Sequence, residues 1–200
     1  MNVGTLAVMD VEAELARLRA EGKLRDVATL AIESYGPDVL GFLAAILRSQ
    51  VDASDAFAQA CENLWRGLPR FEGRSSLKTW FYTVARNAAM RMRSSAVDKG
   101  RVGLSEISEI ADKVRSHATQ QLSQVRSELA EIRDELPEED RTLLVLRVDR
   151  EMSWNDVALV LGEADGSDED LARAAARLRQ RFQVVKKTIR ERLEGDASRR

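Results

Sequence analysis

Helical periodicity runs through almost the whole of this 200-residue sequence and limits the fold more than any other feature. Apolar residues recur at spacings of three and four, which places them on one face of an α-helix. No window shows the sustained apolar–polar alternation that is typical of a half-buried β-strand. The three prolines, Pro37, Pro69 and Pro137, fall where one helical pattern ends or another begins. We therefore predict an all-α protein.

The first hundred residues contain five helical patterns with recognisable start and stop signals. Most starts have a capping side chain or a proline, and several ends are followed by glycine or proline. The predicted helices start at Asp10, Leu24, Pro37, Asp52 and Leu77, the first ending at Gly22, the second at Tyr35, and the last being capped by Ser76. Their apolar faces are sufficient for one compact helical domain over residues 1–96.

The composition changes after this domain. From residue 97 to residue 123 the chain is rich in Ser, Gly, Asp, Lys and Arg and has few large apolar residues. Such a composition predicts a flexible linker with short helical stretches at most. A second helical domain is predicted over residues 124–200.

The second domain has the pattern of a helix-turn-helix motif. Pro137 opens one helix, and the three acidic residues behind it suit the positive end of a helix dipole. Ser153 and Asp156 resemble a capping box for a short helix that Gly162 ends. A long basic helix completes the domain. An inserted segment, Glu163–Ala176, separates Gly162 from the most basic part of that helix.

The net charge of −2 hides an uneven distribution of charge. Residues 66–101 carry nine basic and two acidic side chains, and residues 173–192 carry eight basic and one acidic. Residues 10–62 and 127–171 have net charges of −5 and −11. Two basic segments in an acidic chain suit two contacts with one nucleic acid. The alternative is two helices whose solvated faces are basic.

The stretch from Phe71 to Arg93 combines a polar turn with an aromatic and basic helix. Leu77, Phe81, Val84 and Ala88 follow the spacing of a buried face, and a neighbouring stripe mixes aromatic and cationic groups. Guanidinium groups hold phosphates, and aromatic rings provide a stacking platform for an unpaired base. From composition alone, a nucleic-acid-binding helix and a core helix with a basic outer face are equally good interpretations.

Several classes of protein are not expected. We find no long apolar run typical of a membrane span and no signal peptide, which predicts a cytoplasmic protein without membrane insertion. The single cysteine, Cys61, is expected in the core and cannot form an internal disulfide. No activated nucleophile, paired-carboxylate site, P-loop or zinc spacing occurs. We therefore expect neither an enzyme nor a protein with a cofactor or metal.

Taken in order, these features resemble the extracytoplasmic-function (ECF) group of bacterial RNA polymerase sigma factors. The resemblance extends from about Leu30 to Leu193. Its N-terminal motifs are Tyr35-Gly36-Pro37, Asp52-Ala53-Ser54-Asp55 with Gln59, Leu64-Trp65, Phe71-Glu72-Gly73-Arg74-Ser75-Ser76, Thr79-Trp80-Phe81-Tyr82 and Val84-Ala85-Arg86-Asn87. Its C-terminal motifs are Leu136-Pro137, Arg141, Leu146, Trp154, Val157-Ala158 and Leu161-Gly162. The order of the turn and the TW and ARN motifs is the most specific part.

The resemblance implies a role for each matched region. The first domain would bind the coiled coil of the largest polymerase subunit and open the −10 promoter element, and the second would read the −35 element. Polymerase contacts are expected at Asp52, Asp55 and Gln59. Contacts with the −10 strand are expected at Phe71, Arg74, Ser75, Ser76, Lys78, Thr79, Trp80, Tyr82, Arg86 and Asn87. Contacts with the −35 element are expected at Arg177, Arg181, Lys186, Lys187 and Arg190. An anti-sigma factor is a further partner expected of the family.

The insertion Glu163–Ala176 leaves two outcomes open for the basic helix. It either enters the major groove or reads something else. Two other functions also fit the pattern. A helix-turn-helix regulator would bind duplex DNA without polymerase, and a protein-interaction module would use its basic faces against an acidic protein.

Overall fold

The computed structural model describes residues 3–94, 109–116, 135–164 and 167–197. Within these ranges every regular element is helical, which confirms the prediction of an all-α fold. The chain divides into two compact units, Met1–Leu122 and Ser123–Arg200. The predicted helix after residue 124 lies outside the described residues up to residue 134.

The first unit is built around one long central helix. Its elements are α1 (Val3–Ala20), α2 (Leu24–Leu47), α3 (Gln50–Gly67), a 3₁₀ turn (Leu68–Arg70), α4 (Leu77–Ser94) and a short helix α5 (residues 109–116). Helix α2 packs against α1, α3 and α4. The largest fully buried side chains come from three of these helices and include Phe42, Phe57, Phe81 and Tyr82.

The predicted break at Gly36-Pro37 is wrong, because α2 continues through both residues. Proline in a helix interior removes one backbone hydrogen bond and costs about 3 kcal/mol. Pro37 itself is exposed, while Tyr35, Gly36 and Val39 around it are buried. The buried stripe therefore continues unbroken on the opposite side of the helix from the proline ring. Burial of that stripe outweighs the local cost of the proline.

Two predicted helix starts also differ from the structure. Helix α1 begins at Val3, seven residues before Asp10. Helix α3 begins at Gln50 because the Ser49 hydroxyl, and not Asp52, accepts the cap hydrogen bond, at 3.2 Å from the Asp52 N–H. A capping side chain acts only on the first turn of its helix. Capping by Ser49, three residues before Asp52, therefore moves the start of α3 without changing which face of the helix is buried.

Helix α5 lies within the segment that the sequence predicts to be a linker. Its Ala111 and Val114 are buried in the first unit. Gly36 permits this packing, since a Cβ there would lie 3.2 Å from both Val114 Cγ1 and Phe57 Cζ. Residues 109–116 are thus held against α2 by small-residue packing.

Helix α2 is also the most apolar long helix in the described part of the chain. By length and composition alone it could cross a membrane, but 56% of its most apolar window is buried inside the protein. This burial fits the central helix of a helical unit. Cys61 on α3 is in the same core, as expected, and burial raises the pKa of its thiol.

The second unit consists of α6 (Glu138–Leu144) running directly into a π-helical turn (Val145–Asp149), α7 (Trp154–Leu161) and α8 (Asp168–Ala197). Pro137 is the N-cap of α6, one position before the place predicted for it. The predicted signals of α7 are confirmed, because the Ser153 hydroxyl accepts from the Asp156 N–H at 3.2 Å and Gly162 ends the helix with φ +70°. Helix α8 packs against both α6 and α7.

Helix α8 changes the interpretation of the stretch Glu163–Ala176. The helix begins at Asp168, so residues 168–176 are its first turns and only residues 162–167 separate it from α7. Its apolar stripe is buried at Ala175, Leu178, Phe182 and Val185. Residues 168–176 of the stretch are therefore helical, with acidic residues concentrated at the helix start.

Candidate nucleic-acid and polymerase interfaces

The start of α4 is held by two side chains from different parts of the chain. Ser76 caps the helix as predicted, with its hydroxyl accepting from the Thr79 N–H at 3.0 Å. The Glu12 carboxylate of α1 accepts from the Leu77 N–H at 3.2 Å and from the Lys78 N–H at 3.1 Å. These are backbone donors that have no partner within the helix. A negative group at this end also interacts favourably with the helix dipole.

Glu12 also connects α2 to the start of α4. The Tyr35 hydroxyl donates a hydrogen bond of 2.8 Å to the Glu12 carboxylate, and burial together with this bond raises the pKa of Tyr35. One carboxylate therefore ties α1, α2 and the first turn of α4 together. The polar turn Phe71–Ser76 ends directly at this junction, so its final residue is anchored by the core.

An aromatic and cationic stack lies over the other end of the turn. The Phe71 ring stacks on Trp80 with ring centroids 4.8 Å apart, and the Arg19 guanidinium lies 4.9 Å from the Phe71 centroid. Gly67 makes room for Trp80, since a Cβ on Gly67 would lie 2.8 Å from the indole ring. Phe71 and Trp80 are both half-buried. The turn is consequently held by a half-exposed stack at Phe71 and by the Glu12 junction at Ser76.

Tyr82 does not lie on the exposed stripe, which corrects the sequence-based prediction. Its side chain is fully buried and packs against Phe42 with ring centroids 5.3 Å apart. Thr79 is buried as well, at 2% exposure. Tyr82 is adjacent to Phe81 in the sequence, and both rings enter the core because α4 packs against α2 as well as α3. Neither Tyr82 nor Thr79 therefore has a side chain that is accessible to a DNA strand.

The other residues predicted to contact the −10 strand remain accessible. Arg74 is exposed and pairs with Glu72 at 3.2 Å, and the Lys78 ammonium lies 6.0 Å from the Tyr35 ring centroid. Arg86 is half-buried and Asn87 is exposed further along α4. Ser75 is half-buried and donates a hydrogen bond to the Ser76 carbonyl. The turn and one side of α4 thus form a continuous polar and basic surface.

The three residues predicted to bind polymerase share one side of α3, because their spacing is three and four residues. Asp52 and Asp55 are exposed. Gln59 is half-buried and donates to the Asn63 side-chain oxygen at 3.2 Å. The arrangement presents two carboxylates at the N-terminal end of α3, where the helix dipole favours negative charge.

In the second unit the aromatic residue Trp154 gathers cations around it. The Arg147 and Arg179 guanidinium carbons lie 5.1 Å and 5.9 Å from its ring centroid, and the Phe182 ring meets it edge-on at 5.5 Å. This cluster connects the π-helical turn, the start of α7 and the first half of α8. It orients Arg179 on the surface of α8.

The five residues predicted to contact the −35 element fall into two groups. Arg181 binds Glu139 at 2.8 Å and Asp140 at 2.7 Å on α6, and Arg177 lies against Glu163. Partial burial disfavours the Arg181 charge, but the hydrogen bonds to Asp140 and Glu139 outweigh it and raise the pKa of Arg181. Lys186, Lys187 and Arg190 are exposed. Arg181 therefore links α8 to α6 within the unit through its ion pairs with Glu139 and Asp140.

Three side chains at these sites were not predicted from the sequence. Glu12 and Arg19 left no local signal, because their partners at the start of α4 and in the turn lie more than fifty residues away. Arg179 could have been found, since its spacing of seven and eleven residues to Lys186 and Arg190 places the three on one side of α8. In the part of the chain that the structure describes, no group of three His, Cys, Asp or Glu side chains could hold a metal ion.

Comparisons with known proteins find sigma-factor sequences similar to this chain. A family model described as Sigma-70 region 2 matches residues 31–97. The chain is 28% identical over 144 residues to RNA polymerase sigma-H factor of Pseudomonas aeruginosa, which covers 66% of this chain and 73% of that protein. It is 25% identical over 146 residues to RNA polymerase sigma factor YlaC of Bacillus subtilis, which covers 70% of this chain and 82% of that protein.

The family match falls on the part of the first unit that contains the turn and α4. Both relatives are sigma factors, and each alignment includes most of the relative's length. The sequence motifs, the all-helical fold and these matches point to the same family. The chain resembles the extracytoplasmic-function group of bacterial RNA polymerase sigma factors, and its residues 31–97 match Sigma-70 region 2.

Proposed function

We infer that this protein is an alternative sigma factor that binds core RNA polymerase and directs initiation at its own set of promoters. The observation that carries this function is the anchored turn Phe71–Ser76 at the start of α4, within the segment that matches Sigma-70 region 2. A site that captures a base must be rigid before the base arrives, since ordering a loop on binding reduces affinity. A cytoplasmic location follows from this function.

The N-terminal half of α3 is proposed as the polymerase contact. Asp52 and Asp55 are exposed on one side of this helix, within a segment of net negative charge. Such a surface suits a basic partner, which we take to be the coiled coil of the largest polymerase subunit. An anti-sigma factor that covered this surface would block polymerase binding.

The turn and the exposed side of α4 are proposed as the −10 contact. Extruding a base from the duplex costs a few kcal/mol, and stacking on an aromatic ring recovers about 1–3 kcal/mol. Phe71 and Trp80 provide the rings, while Arg74, Lys78 and Arg86 provide positive charge for the backbone. Tyr82 and Thr79 are buried and are not part of this proposed contact.

The exposed side of α8 that carries Arg179, Lys186 and Arg190 is proposed as the −35 contact. Replacing Lys186 or Arg190 with alanine should weaken holoenzyme binding to −35 duplex DNA and reduce the slope of log K against log salt concentration by about one. Arg181→Ala should leave the slope unchanged, because that guanidinium is held by Glu139 and Asp140. Titrations at four salt concentrations measure this. An equal change of slope in all three variants would contradict the grouping.

The function is tested by adding the purified protein to core polymerase and a library of promoter fragments, followed by sequencing of transcript 5′ ends. A shared −10 and −35 pattern upstream of the new start sites is expected. If the protein binds polymerase but yields no promoter-specific transcripts, it is not a sigma factor. Binding to a palindromic duplex without polymerase would instead identify a helix-turn-helix regulator.

The polymerase contact is tested by charge reversal. Asp55→Lys should weaken binding to core polymerase by at least about tenfold, because a like charge would then face a basic partner. Glu33→Lys is the matched control, since it reverses an exposed acidic residue on α2 of the same unit. Affinities from fluorescence anisotropy of the labelled protein give the comparison. Equal affinity of the two variants would remove α3 as the contact.

A further inference from the structure

The Phe71 ring contacts both an aromatic ring and a cation in this structure. The Trp80 indole stacks on one face, with an angle of 26° between the rings and centroids 4.8 Å apart. The Arg19 guanidinium also lies over the ring, 4.9 Å from its centroid. Arg19 and Trp80 therefore both lie against the Phe71 ring.

Arg19 also lies beside the backbone of the turn. Its Nη1 atom would be 3.1 Å from a Cβ on Gly73, which has φ +77°. Gly73 is thus required both for its left-handed backbone and for the approach of the guanidinium. Arg19 comes from α1, which lies outside the residues that match the Sigma-70 region 2 model. Helix α1 reaches the turn here and at Glu12.

Arg17, the neighbouring basic residue on α1, makes different contacts from Arg19. Arg17 pairs with Glu14 and Glu21 on its own helix, and all three side chains are largely exposed. Arg19 lies instead on an aromatic ring. The guanidinium group of arginine is planar and stacks on aromatic rings and on nucleic-acid bases, and its charge attracts a phosphate.

We propose that Arg19 is a base-binding residue of the −10 site, and that the captured base enters between its guanidinium and the Phe71 ring. This inference rests on the proposed sigma-factor function. The guanidinium moves outward by the thickness of one base and then stacks on that base, while Phe71 stays on Trp80. Exchange of a cation–ring contact for a ring–base and a base–guanidinium contact favours the bound state.

The experiment uses holoenzyme assembled from the full chain and core polymerase. The probe is fork-junction DNA from a promoter recovered in the transcription test, with 2-aminopurine at the extruded position. Arg19→Ala should weaken binding of this DNA about tenfold and leave the 2-aminopurine less quenched, since one stacking partner is lost. Arg19→Lys should behave similarly, because it retains the charge and loses the planar group. Arg17→Ala is the matched control and should bind like the unaltered protein.

The outcomes separate this proposal from its rivals. Tighter binding by Arg19→Ala would mean that Arg19 only guards the ring, and unchanged binding with unchanged quenching would mean that no contact exists. Either result overturns the proposal while the sigma-factor function stands. Absence of promoter-specific transcripts from the unaltered protein would overturn the function itself. Equal protection of Cys61 from thiol reagents in both Arg19 variants confirms that they are folded.

Discussion

Tyr82→Ala is expected to destabilise the first unit by about 3–5 kcal/mol, because truncating a buried aromatic side chain leaves a cavity in the core. Tyr82 is fully buried on α4 and contacts Phe42 on α2. The surrounding helices cannot collapse into the space without breaking their other contacts. A loss of this size would remove a large fraction of the stability of an ordinary domain.

The single cysteine makes this loss measurable for the first unit alone. Cys61 is 1% exposed, and burial raises the pKa of its thiol, so native protein should react slowly with a thiol reagent at neutral pH. Thiol labelling across a urea series therefore reports unfolding of this unit. The expected result is a large shift of the labelling midpoint to lower urea for Tyr82→Ala.

Trp80→Ala is the matched control for Tyr82→Ala, since it removes a large aromatic side chain two positions away on α4. Trp80 is half-buried, so its replacement should cost clearly less stability. Trp80→Ala should instead impair strand opening, which permanganate footprinting of the promoter measures. If Tyr82→Ala were as stable as the unaltered protein and failed only in strand opening, the core assignment of Tyr82 would be wrong.

Glu12→Ala is expected to cost about 2–3 kcal/mol, because hydrogen bonds to a charged acceptor are strong and their removal leaves donors unsatisfied. The substitution removes the acceptor for the Leu77 and Lys78 N–H groups and for the Tyr35 hydroxyl. It also removes a negative charge from the N-terminus of α4. The same labelling experiment on Cys61 measures the change.

Glu14→Ala provides the comparison for Glu12→Ala. Glu14 lies on the same helix and pairs with the exposed Arg17, so its loss should leave the stability almost unchanged. Glu12→Gln should fall between the two, since the amide oxygen can still accept one hydrogen bond. Equal stabilities of the Glu12→Ala and Glu14→Ala proteins would show that the junction contributes nothing.

Glu12 and Glu14 could not be distinguished from the sequence. Both Glu12 and Glu14 lie in the same helical pattern, and nothing local separates the residue that joins three helices from the residue that makes a surface ion pair. Glu12 bonds to Lys78, 66 positions away. Only the packing of α1 against α4 brings these residues together.

The basic helix α8 shows the same limit. Its composition predicts a nucleic-acid contact, and its periodicity predicts the buried stripe that the structure confirms. The position of α6 then decides which arginines are available. Arg181 is used by Glu139 and Asp140, whereas Arg179 is placed at the surface beside Trp154.

From the sequence alone came the helical class, the capping of α4 by Ser76 and of α7 by Ser153, the end of α7 at Gly162, and the family resemblance. These depend on interactions within one or two helical turns or on the order of motifs along the chain. The tertiary structure decided that α2 continues through Pro37 and that Tyr82 is in the core. It also brought Glu12 to the start of α4 and Arg19 to the Phe71 ring. The physical reason is that burial against a distant helix outweighs a local preference and leaves no periodic trace in the chain.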